Sequence, residues 1–268
     1  MSALARLVQV NLPFDMIETY GPELLARGGS PEIGLSARVL DGVPQDRLQV
    51  WAERLARTAV TLHGPFMDLA PGGVDPLIVQ ATRRRFLQAA KLTGLFQARA
   101  LVLHAGYDFS RYPYDRDRWL EVAAETWRLV LEATEKSQTL ILVENVFERE
   151  PDIISRLLAR MDHPRLGFCF DTGHFNTWSQ APLMDWLTRL GPWLKRLHLH
   201  DNDGSFDQHL PIGQGNFDFK ALWAWLKEKG LRPGITLEPH TEEDFRLTFL
   251  AFKQLLKEEN WWPGGSEI

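Results

Sequence analysis

The chain has 268 residues, 44% of them hydrophobic and 24% charged, with a formal net charge of −5. That length suits one α/β barrel of about 250 residues. The charge balance argues against a protein built to bind nucleic acid, although a local basic patch is compatible with it. A single cysteine, Cys169, rules out an internal disulfide; it sits in the apolar run Leu166 to Phe170 and reads as a buried thiol. Arg6 and Gln9 interrupt the first apolar run before a secretory leader forms. No stretch approaches the ~20 apolar residues of a membrane span. A cytoplasmic enzyme is expected.

In chain order, Leu7 to Asn11 reads as a strand and Met16 to Ala26 as a helix, stopped by Gly28-Gly29-Ser30-Pro31. Glu32 to Ser36 is a short second strand. Pro44 to Arg57 has helical spacing at Leu48, Trp51 and Leu55. Thr58 to His63 is the third strand. Asp75-Pro76 is an N-cap with proline at the first helical position, opening a helix to about Leu92. That helix carries Arg83-Arg84-Arg85, read as a solvated face. Ala100 to His104 is the fourth strand, Asp115 to Glu135 a long helix, and Thr139 to Glu144 the fifth strand. Asp152 to Met161 is a helix, Leu166 to Asp171 the sixth strand and Leu183 to Leu190 a short helix. Leu194 to His200 is the seventh strand, Phe217 to Lys229 a helix, Gly234 to Glu238 the eighth strand and Thr241 to Glu258 the last helix. The tail from Trp261 either docks through Trp261 and Trp262 or stays unstructured.

Eight apolar strands alternating with helices, with no long linker, predict a single-domain α/β fold spanning residues 1–268, a (β/α)₈ TIM barrel. An open doubly wound sheet is the alternative, but no Gly-x-Gly-x-x-Gly follows the first strand.

The strand ends carry the chemistry. The third ends in His63, the fourth in His104, the fifth in Glu144, the sixth in Asp171 and the eighth in Glu238, while the seventh carries His198 and His200. In a barrel these ends form one rim, where active sites lie. Six consecutive strands ending in imidazole or carboxylate point to a divalent metal, zinc or manganese rather than calcium. His198 and His200, two apart, face the same way on a strand, and physics alone does not choose between them. Asp207 and His209 repeat the spacing across the next loop. In Asp171-Thr172-Gly173-His174, Asp and His lie three apart and can fold back toward one ion. Phe175 and Trp178 are placed either to floor the pocket or to pack against the next helix. Gly213-Gln214-Gly215 offers backbone N–H groups to a phosphate or forms a plain turn. Arg38 is a candidate for a substrate phosphate, though a surface role is the commoner one.

The set His63-Gly64-Pro65-Phe66, His104-Ala105-Gly106, Glu144-Asn145, Asp171-Thr172-Gly173-His174, His198-Leu199-His200-Asp201, Asp207-Gln208-His209, Gly213-Gln214-Gly215 and Glu238-Pro239 resembles the xylose isomerase-like barrel superfamily. That group holds sugar and sugar-phosphate isomerases and epimerases, and also endonuclease IV-type enzymes acting at abasic sites. The resemblance spans nearly the whole chain. For a one-metal epimerase it implies Glu144, Asp171, His198 and Glu238 as ligands, His198 being chosen by its His-x-x-Asp match. For a three-zinc endonuclease it adds His63, His104, His174, Asp207 and His209.

One to three ions are therefore expected, with Glu144 and Glu238 also catalytic and His200, Trp178 and Arg38 facing the substrate. The favoured reading is a metal-dependent sugar or sugar-phosphate isomerase or epimerase working through an enediolate, with the two glutamates as acid and base. The alternative is a zinc phosphodiesterase acting on abasic-site DNA. Its ligand count is complete, but the loops after the first three strands hold no concentration of Lys and Arg. Phe66, instead of a polar aromatic, follows His63-Gly64-Pro65. A sugar-binding barrel without catalysis is a third reading, against which the two glutamates on one site argue. The expected partner is a small sugar or sugar phosphate and no membrane; nucleic acid enters only through the phosphodiesterase alternative.

Overall fold

The computed structural model describes residues 8–258. Leu7 and the tail from Trp261 lie outside the described residues. Eight parallel strands run in chain order around a closed barrel: β1 Val8–Pro13, β2 Pro31–Gly34, β3 Thr61–His63, β4 Ala100–His104, β5 Leu140–Glu144, β6 Leu166–Asp171, β7 Leu194–Leu199 and β8 Gly234–Leu237. Closure is made by β1 on β8, with Val8 opposite Ile235 and Val10 opposite Leu237. The helices are α1 Ile17–Ala26, α2 Ala37–Gly42, α3 Gln45–Leu55, α4 Pro76–Leu95, α5 Arg116–Ala133, α6 Asp152–Met161, α7 Thr172–Trp178, α8 Leu183–Leu190, α9 Phe219–Lys229 and α10 Glu242–Glu258. None of them is long and apolar enough to cross a membrane.

Strand periodicity divides the chain into two layers. On β4, Leu101 and Leu103 point outward into the main core, while Ala100, Val102 and His104 point into the barrel. The same alternation sends Ile141 and Val143, Phe168 and Phe170, Leu197 and Leu199, and Ile235 and Leu237 out against the helices. There they meet large buried side chains such as Trp127, Trp186 and Trp223. Burying one such side chain is worth about 1.5–3 kcal/mol, and this outer shell holds the barrel together. The inward layer is free to be polar.

Three local features differ from the sequence expectation. β3 starts at Thr61 instead of Thr58, because the Thr58 hydroxyl still caps α3 through the Leu55 carbonyl (2.8 Å) and β2 offers partners only from Glu32 to Gly34. The six-residue α2 follows β2, capped by Ser36 Oγ accepting from the Val39 amide (3.2 Å); it is too short to show a helical period. α7 springs directly from β6, with Asp171 as its N-cap accepting from the His174 amide (2.7 Å). The cap of α4 is as expected, Asp75 accepting from the Leu77 amide with Pro76 at the first position. The arginine run stitches α4 to its neighbours: Arg83 bonds Thr126 and Glu125, and Arg85 bonds Asp41. Cys169 is fully buried, and burial pushes its thiol up to about 12.

Candidate metal centre

The inward alternation carries His63, His104, Glu144, Asp171, His198 and Thr236 to the barrel interior, with His200 and Glu238 one step beyond β7 and β8. Glu144 is the hub. Its Oε2 lies 3.0 Å from His63 Nε2 and 3.6 Å from His104 Nε2. Its Oε1 lies 3.3 Å from both His174 Nδ1 and His198 Nδ1. His198 Nδ1 is also 3.0 Å from Glu238 Oε1. His200 Nε2 sits 3.1 Å from each oxygen of Asp171 and 3.9 Å from Glu238 Oε2. Further out, Asp207 Oδ2 touches His174 Nε2 (3.4 Å) and His209 Nε2 (3.2 Å).

All nine candidate ligands thus meet at one rim. Eight of them, with His200 and Glu32, fall in overlapping groups close enough to hold an ion: His63, His104 and Glu144; Glu144, Asp171 and His198; Asp171, His174 and His200; His200, His209 and Glu238; and Glu32, His63 and His198. The structure therefore leaves both central histidines in play. His198 is paired in register with Asp171 on β6 and Thr236 on β8. His200, two residues on, stands at the level of Glu238.

The histidine orientations fit metal ligation. His63, His174 and His209 each direct Nδ1 at a backbone carbonyl, those of Gly64, Asn145 and Glu238 respectively, all at 2.9 Å. A carbonyl only accepts, so Nδ1 carries the proton and Nε2 presents its lone pair. For His63 that lone pair faces a carboxylate oxygen of Glu144, and for His174 and His209 one of Asp207. Two acceptors face to face need a cation or a proton between them. Moreover, among the described residues no Lys or Arg pairs with Glu144, Asp171, Asp207 or Glu238, and a buried carboxylate without a counter-charge is costly. His200 Nδ1 is buried with no hydrogen-bond partner. The donor set of imidazole and carboxylate suits a divalent metal ion.

Electrostatics carry the same imprint. Burial alone would raise Glu144, but His198, His104 and His174 hold it well below the carboxylate range. Asp171 is lowered against its burial by His174 and His200. Glu238 goes the other way, raised by burial and by Asp171 and Glu144. His104 is pushed down to about 3 by burial, and its neighbours His63 and His174 add to that; it is a neutral imidazole. Burial pulls His209 down too, but Asp207 and Glu238 outweigh it and raise the ring to about 9. Beneath them Glu32 is fully buried, yet His198 and Arg196 overcome that desolvation and lower it to about 2.

Local structure explains several placements. Asn145 ties β5 to β6, donating to the Asp171 carbonyl (3.0 Å) and accepting from its amide (2.9 Å). A Cβ on Gly173 would stand 2.0 Å from His200 Cε1, so glycine is what lets that ring lie against the α7 backbone. His209 holds a left-handed backbone, φ 52°, a conformation that for a non-glycine residue carries strain. Its ring is stacked between His200 (3.8 Å) and His240 (3.9 Å).

Other sequence candidates separate. Trp178, one helical turn after His174, lies 5.4 Å from its ring and 5.0 Å from Phe147 at the mouth. Phe175 instead packs with Phe170, Trp186 and Phe217 in the core. The amides of Gly213 and Gly215 do not face a ligand, since both donate to Asp201 Oδ2 at 2.9 Å. Asp201 is therefore a loop anchor. Arg38 is exposed on α2 and makes no bond to the cluster among the described residues. Sequence reasoning missed Glu32, an acid at the start of β2, and His240. It also passed over Glu148, whose two carboxylate oxygens accept from the amides of Tyr107 (3.1 Å) and Val146 (2.6 Å) and join the loops after β4 and β5.

Residues 14–263 match the family model described as the xylose isomerase-like TIM barrel. The TTHB071 protein from Thermus thermophilus, in a structure obtained by soaking with ZnCl2, superposes with a TM-score of 0.78 at 29% identity, covering 94% of this chain and 98% of that one. A D-tagatose 3-epimerase-like protein superposes with a TM-score of 0.80 at 24% identity, covering 95% and 98%. A probable endonuclease 4 of Mycobacterium bovis is 26% identical over 203 residues, 70% of this chain and 76% of that protein.

Proposed function

The chain belongs to the xylose isomerase-like TIM barrel family, and from that footing we propose that it is a divalent-metal-dependent phosphoester hydrolase with a three-ion centre. The observation that carries this reading is the outer trio. Asp207 Oδ2 contacts both His174 Nε2 and His209 Nε2, outside the residues a single ion needs. The strained His209 backbone, pinned through Nδ1, has no evident use except to aim Nε2 at that place. On this reading His63, His104 and Glu144 hold one ion. Glu144, Asp171, His200 and Glu238 hold the second, with His200 taking the place first assigned to His198. His174, Asp207 and His209 hold the third. Bound ions of this kind lower the pKa of water and neutralise charge on a phosphoryl group. The protein's part is to keep the carboxylates dry and fixed, with Trp178, Phe147 and Phe66 bordering the mouth. The relationship to a probable endonuclease 4 makes an abasic-site duplex the first substrate to try.

One observation favours a second reading, a sugar or sugar-phosphate isomerase or epimerase. Oε1 of Glu144 and of Glu238 both contact the same His198 nitrogen. Two carboxylates that close suit proton removal and return at one carbon.

The deciding experiment counts zinc and manganese per chain in the purified protein and assays it on an abasic-site duplex and on a panel of ketoses and their phosphates. Three ions with strand cleavage support the hydrolase. One ion with epimerisation of a ketose replaces it with the second reading.

A further inference from the structure

One segment of the rim carries no candidate ligand. After Glu144 the chain runs Asn145-Val146-Phe147-Glu148-Arg149-Glu150. Glu148 is buried, and its Oε2 accepts from the Val146 amide at 2.6 Å while its Oε1 accepts from the Tyr107 amide at 3.1 Å. The first of these bonds closes a turn around Phe147, whose ring is left 43% exposed. The Arg149 carbonyl accepts from the amides of Gln180 (2.8 Å) and Ala181 (3.1 Å), which fastens the segment to the chain just beyond α7. Trp178, the last residue of α7, meets Phe147 there, with ring centroids 5.0 Å apart and planes at 75°. The Trp178 ring also lies 5.4 Å from that of His174.

We infer that Phe147 and Trp178 form a subsite beside the outer cluster, which receives a flat, uncharged organic group attached to the phosphoryl group. The inference rests on the phosphoester reading above. Two rings at 75° make a corner. A third ring entering it stacks on one and meets the other edge-on, the two arrangements that aromatic groups favour. Position follows from Trp178, which adjoins the His174 ring, so a group one ester bond from a phosphoryl at the outer cluster is within its reach. The uncharged character follows from the segment's own charges. Arg149, the one cation among residues 145–150, lies over the Phe109 ring at 4.8 Å, and Glu150 accepts from Arg116 at 2.8 Å. The corner therefore presents carbon to a ligand instead of charge. An exposed ring gains by being covered, and here a buried carboxylate and two backbone bonds hold Phe147 out instead of letting it fold inward.

The test uses the full chain loaded with zinc and two non-hydrolysable probes with one head group, phenylphosphonate and methylphosphonate, with binding followed by calorimetry. The parent should bind phenylphosphonate roughly 2–10-fold more tightly, the worth of one aromatic contact. Phe147→Ala changes an exposed side chain and leaves the core intact; it should remove most of that preference, and Trp178→Leu should do the same. Zinc count and circular dichroism, measured on each variant, should match the parent's. Equal affinity for the two probes in the parent overturns the subsite and leaves the phosphoester reading standing. A preference undiminished in Phe147→Ala overturns the subsite too. A zinc-loaded parent that binds neither phosphonate removes the phosphoester reading itself, and the subsite with it.

Discussion

His209 is where strain, geometry and the proposed third ion coincide. Its backbone is left-handed, its Nδ1 bonds the Glu238 carbonyl at 2.9 Å, and its Nε2 meets Asp207 at 3.2 Å. His209→Ala and His209→Gly remove the same imidazole and the same hydrogen bond, worth about 1 kcal/mol. They differ in one methyl group at φ 52°. Alanine keeps the clash that a Cβ meets there, roughly 1–2 kcal/mol, whereas glycine does not; glycine's greater unfolded-state entropy takes back about 0.5–1 kcal/mol. The glycine variant should therefore be the more stable of the two by about 0.5–1 kcal/mol, or roughly 1–4 °C in Tm. Thermal melts of the metal-free proteins measure this without interference from ion binding. In the loaded proteins, atomic emission should find zinc falling from three ions per chain to two in both variants. Three ions retained in both would refute the outer-site assignment. An alanine variant that melts above the glycine variant would show that the left-handed backbone stores no strain.

Glu238→Gln keeps the side-chain volume but removes an anionic ligand; activity should disappear with the fold intact and zinc held less tightly, and turnover near the parent's rejects the role. Gly173→Ala places a methyl group 2.0 Å from His200 Cε1. It should cost about 1–3 kcal/mol in stability and reduce zinc uptake; unchanged uptake would mean that His200 moves without consequence for the ions. Stability of the metal-free protein should also depend on pH. His209 titrates near 9 when folded and near 6.5 when unfolded, so its contribution is complete below about 6.5 and is lost as pH rises through 9. Zinc affinity should rise over that same interval, because the ion displaces that proton. Calorimetry of the metal-free chain between pH 6 and 10 checks the first expectation, and a melting temperature that climbs there contradicts it.

Most of the barrel is written in the chain because two periods are superposed on it. Runs such as Ala100 to His104 and Leu166 to Asp171 are apolar until their last residue, and both appear in the structure with the expected boundaries. The polar ends name the rim. What the chain does not spell out is level. His198 and His200 share a face, and only the pairing of His198 with Thr236 shows that His200 is the one level with Glu238. Glu32 escaped notice because it lies at the beginning of its strand, where the rule of polar strand ends does not look. For the Gly213-Gln214-Gly215 segment the sequence left a plain turn and a phosphate cradle open, and the turn is what is found, because a backbone amide's partner is set by what folds over it, here Asp201. Phe175 and Trp178 divide because α7 starts at once after Asp171. Trp178 then lies a full turn from His174 on the same face, while Phe175, next in line, turns into the core.

The number of ions and the charge of the substrate are one question. Among the described residues the interior gathers five carboxylates, Glu32, Glu144, Asp171, Asp207 and Glu238, against the guanidinium of Arg196. With the imidazoles neutral, as ligation requires, four negative charges remain uncompensated. One divalent ion leaves two of them, and an anionic phosphoester approaching such a mouth is repelled. Three ions reverse the sign to two positive charges, and the same mouth attracts it. A neutral ketose is indifferent to this sign, so the epimerase reading is compatible with one ion, while phosphoester hydrolysis needs the fuller complement. Arg196 balances Glu32 but reaches none of the rim carboxylates, so their counter-charge falls to the histidines or to bound cations.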